Sequence, residues 1–403
     1  MARQFGGFLS DTDWQAHGLL RSEMTRNTIR DLLRNEPIYT NGDGLRERIF
    51  KQRIVVTGAG GSIGSELCRQ IAPYDPSRLV LLGHGEHSIF TIAAELNRHF
   101  PALGIERVIA DVRDRDRLDR VFSDLRPDIV FHAAAHKHVP LMEENVEEAI
   151  INNVLGTDNV VKVAIKNGTG TFVLVSTDKA VYPVSVMGAT KRIAELIVAR
   201  AAEISGGCFV SVRFGNVIRS RGSVLSVFEE QISRGGPVTV THPEMRRYFM
   251  TIHEAVHLVL QAIKLGNGGE LFVLDMGAPL KIVDIARVLI EDSGLVPDRD
   301  VKVIFTGVRP GERLNEDLFR DGDYEATQHP KILVLRNGGI GPPLTGFPDT
   351  ARRTTNLDEQ VGALAKAARL SDRAHIRELL KQIVPEYKEG ALGSATSSLE
   401  SLP

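Results

Sequence analysis

"RIVVTGAGGSIGSELCRQIA", residues 53–72, decides the fold. Ile54, Val55 and Val56 form a short β-branched run that reads as a strand. The loop after it is Thr57-Gly58-Ala59-Gly60-Gly61-Ser62-Ile63-Gly64, a TGxxGxxG pattern. Ile63, Leu67 and Ile71 then recur at helical spacing. Gly58 suits a tight strand-to-helix turn, Gly61 lets a diphosphate approach bare backbone, and Gly64 permits close helix packing. The diphosphate would rest on the helix N-terminus, where unpaired N–H groups and the helix dipole favour an anion. A glycine-rich loop alone is a weak signal, because it also serves as a plain structural turn. Its place between a strand and a helix gives it weight.

The rest of the chain repeats the alternation. "RLVLL", "ERVIAD", "DIVFHAAA", "TFVLVST" and "CFVSVRFGNV" read as strands. Between them lie helical patterns such as "HSIFTIAAELNRHF" and the long "EEAIINNVLGTDNVVKVAIKNG", which ends at Gly168. Alternating strands and helices predict an α/β fold, a Rossmann-type doubly wound parallel sheet. The continuously apolar strands fit a sheet covered on both faces. After Asn216 the rhythm changes to short strands ("GGPVTV", "FVLDMG", "VKVIFTG") among loops and two amphipathic helices. We therefore expect an N-terminal arm over residues 1–50 and a nucleotide-binding domain over 51–216. A smaller interleaved substrate domain over 217–388 would return some segments to the first, before a disordered tail over 389–403.

Composition excludes several classes. Hydrophobic residues make up 42% and charged residues 25% of 403 residues, with a net charge of -2. That is ordinary globular composition, with no basic footprint for nucleic acid or an anionic membrane. No run approaches the roughly 18 apolar residues of a membrane helix, and the N-terminus lacks a signal-peptide core. The expectation is a soluble, cytoplasmic protein. Cys68 and Cys208 have no metal or redox spacing, though a disulfide between them stays open.

The loop residues Thr57, Gly58, Gly60, Gly61, Ser62, Ile63 and Gly64 are the first cofactor candidates, with Ala133 and Ala134 at the end of the fourth strand. The choice between NAD and NADP stays open. An acid ending the second strand would bind ribose hydroxyls, but that strand ends "LLGHGEHS". His84 would suit a 2′-phosphate and Glu86 a ribose. Asp111 and Val112 end the third strand, as adenine contacts or as a plain strand end.

"STDKAVYPVSVMGATKR", Ser176 to Arg192, resembles the active-site segment of short-chain dehydrogenases, where a tyrosine stands four residues before a lysine. Lys191 is present, but Met187 holds the tyrosine position, and a thioether cannot move a proton. Thr177, Asp178 and Lys179 instead leave the fifth strand at its carboxyl end, where ligands of this fold lie. A hydroxyl can orient a sugar hydroxyl, a carboxyl group can protonate a leaving hydroxyl, and an amine can take a carbon-bound proton. Elimination of water beside a ketone needs that acid and base.

With "HAAAHKHVPLME", "NNVLGT", "VRFGNV", "SRGSV", "MRRYFMTIHEAV" and "RPGE", these motifs give residues 30–388 a specific resemblance. The chain resembles the nucleotide-sugar 4,6-dehydratases of the extended short-chain dehydrogenase superfamily, in the polysaccharide-biosynthesis branch acting on UDP-N-acetylglucosamine. Related dTDP-glucose dehydratases carry an acid where Lys179 stands, which favours the UDP-N-acetylhexosamine branch. Methionine at position 187 resembles members that retain the C5 configuration. The resemblance implies a tightly bound NAD or NADP recycled in each turnover. Hydride leaves C4, Lys179 removes the C5 proton, and Asp178 protonates the departing C6 hydroxyl. Hydride then returns to C6, giving UDP-2-acetamido-2,6-dideoxy-hexos-4-ulose. Thr177 would hold the 4-hydroxyl and Lys191 the cofactor ribose; Asp178 is the first choice to accept the 4-hydroxyl proton. The resemblance also implies a UDP-sugar partner, self-association into a homo-oligomer, and a short form without the membrane helices of longer relatives.

Asn153 and Asn216 resemble the family's helix asparagine and a substrate contact. Lys137 and His138 either line the sugar mouth or carry surface charge. Arg221, Arg246 and Arg309 are candidates for the UDP diphosphate, because guanidinium forks suit phosphate oxygens. "HEAVH" at His253–His257 matches a zinc-protease pattern without a third ligand, and "HKH" lacks metal spacing, so no metal is expected. Tyr182 is a minor substitute for the missing tyrosine. Two other functions compete: a UDP-hexosamine 4-epimerase, and a cofactor-binding protein with a dead site.

Overall fold

In the computed structural model, which describes residues 43–318, 324–335 and 356–390, the opening stretch folds as strand, turn and helix. Strand β1 is Arg53–Thr57 and the helix after the turn is Ser62–Ile71. The sheet continues with β2 (Arg78–Gly83), β3 (Ile105–Ile109), β4 (Ile129–His132), β5 (Thr171–Val175), β6 (Cys208–Arg213) and β7 (Leu271–Leu274). These seven pair in parallel in the order β3-β2-β1-β4-β5-β6-β7. Beyond β7 the antiparallel β9 (Ile332–Leu335) and β8 (Tyr324–Ala326) close the edge. The order reverses between β1 and β4, so a crevice opens at their carboxyl ends.

Alternate residues of each strand enter different cores. Val55, Val80, Val130 and Phe172 face one cluster; Ile54, Val56, Leu81 and Phe131 face the other. The first is covered by Arg115–Leu125, Gly156–Lys166 and Val186–Ser205, with Leu357–Arg369 and Arg373–Ile383 packed beside them. The second is covered by Asp43–Ile49, Ser62–Ile71, Glu86–His99 and Ile252–Leu265. This is the doubly wound sheet that the apolar strands predict. "FVLDMG" proves to belong to it, since its residues form β7 beside β6.

A third cluster, including Ile218, Phe228, Val240, Phe249, Ile285 and Leu289, holds the smaller unit together. There Val238–Val240 pairs in parallel with Val303–Phe305, and Arg246–Arg247 pairs antiparallel with Leu280–Lys281. The long helix expected before Gly168 is interrupted by a π-helical segment, Ile150–Leu155. Both cysteines are free thiols. Among the described residues no helix is long and apolar enough to cross a membrane. The arm's "TRNTIRDLLR" and the tail from residue 391 lie outside the described residues.

Candidate active site

The glycine loop is built by close approach. Gly58 has φ 66°, and a Cβ there would stand 2.9 Å from Ala133 and Ala134 backbone. A Cβ on Gly64 would stand 2.1 Å from the Gly58 carbonyl oxygen. Gly60 is required too, because its Cβ would meet the Ser88 side chain at 2.1 Å. Gly61 is less crowded: its Cβ would meet only the Gly58 oxygen, at 3.2 Å. No side chain caps the Ser62–Ile71 helix, and its first turn carries no acid. A bare helix start beside open glycine backbone fits an anion such as a diphosphate. Ser62 Oγ accepts from the Arg221 backbone N–H at 3.0 Å, so the Arg221 loop seats on this turn.

His132 ends β4 beside Thr57, with its Nδ1 2.7 Å from Thr57 Oγ1 and its Nε2 3.0 Å from Thr157 Oγ1. Thr157 gives its hydroxyl proton to the Asn153 carbonyl at 2.7 Å. His132 therefore donates from Nε2 and accepts the Thr57 proton at Nδ1. Burial, with the Lys191 charge adding, pushes its pKa down to about 3, so it stays neutral. Asn153 is buried and uses its amide within the protein, on the His136 N–H and carbonyl (2.8 and 3.0 Å) and on Thr190 Oγ1 (3.1 Å).

At the adenine end, His84 and Glu86 are both exposed. Asp111 is engaged by Arg113, at 2.9 and 2.6 Å, and the Arg113 hydrogen bond holds its carboxyl below the usual range. Val112 is buried, and its carbonyl takes the Asn159 amide at 3.1 Å. Ile63 packs beside the second core cluster.

Beyond β5 the chain turns into a short 3₁₀ helix, Asp178–Ala180. Asp178 is 1% exposed. Its Oδ1 accepts from Thr177 Oγ1 at 2.8 Å and from Lys179 Nζ at 3.0 Å. Its Oδ2 is buried against Gly215 and takes no hydrogen bond among the described residues. Lys179 Nζ also reaches Asn216 Oδ1 at 3.3 Å and Glu316 Oε1 at 3.7 Å. Burial would lower its pKa, but the Asp178 and Glu316 carboxylates prevail and raise it. Glu316 stands 3.8 Å from the buried Arg247 as well. Lys137 Nζ donates to Ser220 Oγ at 3.1 Å, and burial and the Lys179 charge lower its pKa. His138 is lowered by burial, then by Lys137 and Arg309.

Lys191 is buried on the Val186–Ser205 helix and donates from Nζ to the Val175 carbonyl at 2.7 Å. Burial pushes its pKa down to about 8. Met187, 2% exposed, lies in a hydrophobic cluster with Val186, Ala189 and Ile193. Thr177, Asp178, Lys179 and Asn216 thus meet in one contact group, with Lys137 nearby. Arg221, Arg246 and Arg309 arrive from three separate segments, Arg309 paired with Glu312 at 2.6 Å. His253 pairs with Glu66 at 2.8 Å, and among the described residues no group of three ligating side chains could hold a metal. No local pattern in the sequence marks Glu316 or Arg247. None marks the buried Glu195 either, which joins Ser176 (2.6 Å), Arg213 (2.6 and 2.7 Å) and Arg192 (3.1 Å).

Sheet order, glycine turn and switch-point crevice define a Rossmann-type nucleotide-binding fold of the extended short-chain dehydrogenase kind. Within that class the chain belongs to the polysaccharide biosynthesis protein family, whose profile matches residues 54–337. A probable polysaccharide biosynthesis protein of Bacillus subtilis, EpsC, is 53% identical over 306 residues, 75% of this chain and 51% of that protein. The chain spans about half the length of such curated relatives. A UDP-N-acetylglucosamine 4,6-dehydratase (inverting) of Campylobacter jejuni is 34% identical, over 69% of this chain and 80% of that one. Proteins named UDP-glucose 4-epimerase match as well. Among solved structures, Pen from Bacillus thuringiensis has a TM-score of 0.66 at 32% identity, covering 71% of this chain and 90% of its own.

Proposed function

We propose that the chain is the catalytic part of a nucleotide-sugar 4,6-dehydratase that converts UDP-N-acetylglucosamine to UDP-2-acetamido-2,6-dideoxy-hexos-4-ulose and water. The observation that carries this reading is the 3.0 Å contact between the buried Asp178 and Lys179, an acid and a base sharing one site. Gly58–Gly64 would hold the diphosphate of a nicotinamide dinucleotide and Lys191 its ribose, and the bound group would supply hydride uptake at C4 and hydride return at C6.

As an ion pair, Lys179 holds its proton and Asp178 lacks one. Elimination needs the reverse. Asp178 becomes the acid when it takes the 4-hydroxyl proton during oxidation, and Lys179, 3.0 Å away, becomes the base by giving its own proton to solvent. A bound sugar that excludes water favours that neutral pair, because low-polarity surroundings penalise separated charges. Lys179 then takes the C5 proton, made acidic by the C4 ketone. Asp178 protonates the C6 hydroxyl, which leaves as water. Thr177 orients the 4-hydroxyl, and Asn216 holds the Lys179 amine. Asp178 also takes the 4-hydroxyl proton during oxidation and passes it to the leaving group. Arg221, Arg246 and Arg309 serve the UDP diphosphate.

A 4-epimerase is the second reading, favoured by the relatives that bear that name. It needs the same oxidation at C4 but neither a C5 base nor a C6 acid. Lys179→Ala separates the two. The dehydratase reading expects water loss from UDP-N-acetylglucosamine to fall by roughly 10²–10⁴-fold while the dinucleotide still binds. Undiminished formation of the 4-keto-6-deoxy product in that variant would remove Lys179 from the chemistry.

A further inference from the structure

The helix that carries Lys191 starts with help from outside itself. Ser185 Oγ caps Gly188 N–H at 3.1 Å, but the Val186 N–H goes to Glu143 Oε1 at 2.6 Å. Glu143 lies in the last turn of the Val139–Glu144 helix, after β4. Its second oxygen, Oε2, lies 3.2 Å from Arg377 on the Arg373–Ile383 helix. Arg377 also pairs with Glu389 at 2.6 Å, and Lys381 holds the other Glu389 oxygen at 2.9 Å. Past that helix the backbone joins in: Lys388 N–H donates to the Pro183 carbonyl, and Gly390 N–H to the Val184 carbonyl, each at 3.0 Å.

The packing at this joint is tight. A Cβ on Gly390 would stand 3.2 Å from the Val184 oxygen and 3.4 Å from the Gly311 nitrogen. A Cβ on Gly311 would stand 3.1 Å from both Glu143 Oε1 and Ser185 Cβ. The segment held this way, Tyr182–Val186, links Lys179 to Lys191. Tyr182 has φ 42°, a left-handed conformation that a non-glycine residue keeps only when its surroundings enforce it. One enforcing contact is Arg313, which donates to the Tyr182 carbonyl. The C-terminal contacts come from beyond residue 337, where the family match ends.

We propose that Glu143 and Arg377 are positioning residues: with the Lys388–Gly390 backbone they hold Tyr182–Val186 and so fix Lys191 relative to Asp178 and Lys179. The claim rests on the proposed reaction only for its effect on turnover. Charge-assisted hydrogen bonds hold geometry better than neutral ones, and small misplacements of catalytic groups cost rate out of proportion to stability.

The test uses the full chain with Glu143→Gln, Arg377→Met and Arg377→Lys, read by amide hydrogen exchange and by steady-state kinetics on UDP-N-acetylglucosamine. Arg377→Met and Glu143→Gln should each speed exchange in residues 181–191 by about tenfold or more, with the β4 and β5 strands protected as in wild type. They should lower kcat by about tenfold with KM within about twofold, and Arg377→Lys should restore most of both. Unchanged exchange in residues 181–191 overturns the proposal, as does faster exchange with wild-type kcat. If Arg377→Met fails to fold, Glu143→Gln, which keeps the side-chain shape, decides by the same two measurements. A wild-type chain that turns over no UDP-sugar sinks the proposed reaction instead. The exchange result then decides the positioning role alone.

Discussion

Two lysines stand in this site with opposite electrostatics. Lys191 Nζ donates to the Val175 carbonyl, and burial outweighs the Glu195 charge and takes its pKa down to about 8. Lys179 is only partly buried, and Asp178 and Glu316 raise it. Lys191 gives a prediction with a definite sign. Its folded pKa lies below the ordinary value of 10.5, so between about 8 and 10.5 the unfolded chain binds more protons. Stability contributed by this residue therefore rises with pH across that window. Lys191→Met should remove the rise, a difference of up to about 3 kcal/mol between pH 7 and pH 11 when denaturant unfolding of the two proteins is compared. A pH-independent difference between them would mean that Lys191 is not buried as a strained cation. At this scale the sequence was informative where residues adjoin. Thr177, Asp178 and Lys179 are consecutive, and the end of an apolar strand placed them at the crevice. Glu316, Arg247 and Glu195 reach buried ion pairs through tertiary contact, and no local pattern marks such partners. Met187, conspicuous as a missing tyrosine, is a well-packed core residue.

The glycine turn shows how one element divides its work. Gly64 is required by packing, since its Cβ would overlap the Gly58 carbonyl at 2.1 Å. Gly61 has room, with one contact at 3.2 Å. Gly64→Ala should therefore cost stability, about 1–3 kcal/mol in denaturant unfolding, because the helix must move off the turn. Gly61→Ala should leave stability within about 1 kcal/mol and weaken dinucleotide binding by about tenfold or more, because the methyl stands where a diphosphate approaches. Equal effects of the two changes on stability would contradict this division. These roles were readable from the TGxxGxxG spacing, but the need for Gly60 was not, because Ser88 comes from the next helix. The π-helical turn at Ile150–Leu155 was also hidden, as helical periodicity does not register one extra residue per turn.

At the scale of the molecule, a seven-strand parallel sheet with an antiparallel edge reverses its order between β1 and β4, where the crevice lies. Alternating apolar strands and helices made the parallel sheet legible. A return of some segments from the smaller unit was expected, but that β7 is one of them was not legible, since a short apolar strand reads alike in either unit. The central claim is that this crevice removes water across C5 and C6 of a UDP-sugar. The most direct measurement is mass spectrometry and NMR of the product formed from UDP-N-acetylglucosamine in deuterated water. The account predicts a 4-keto-6-deoxy sugar nucleotide carrying one deuterium at C5, with the original C5 configuration. Recovery of UDP-N-acetylgalactosamine without deuterium at C5 would contradict it.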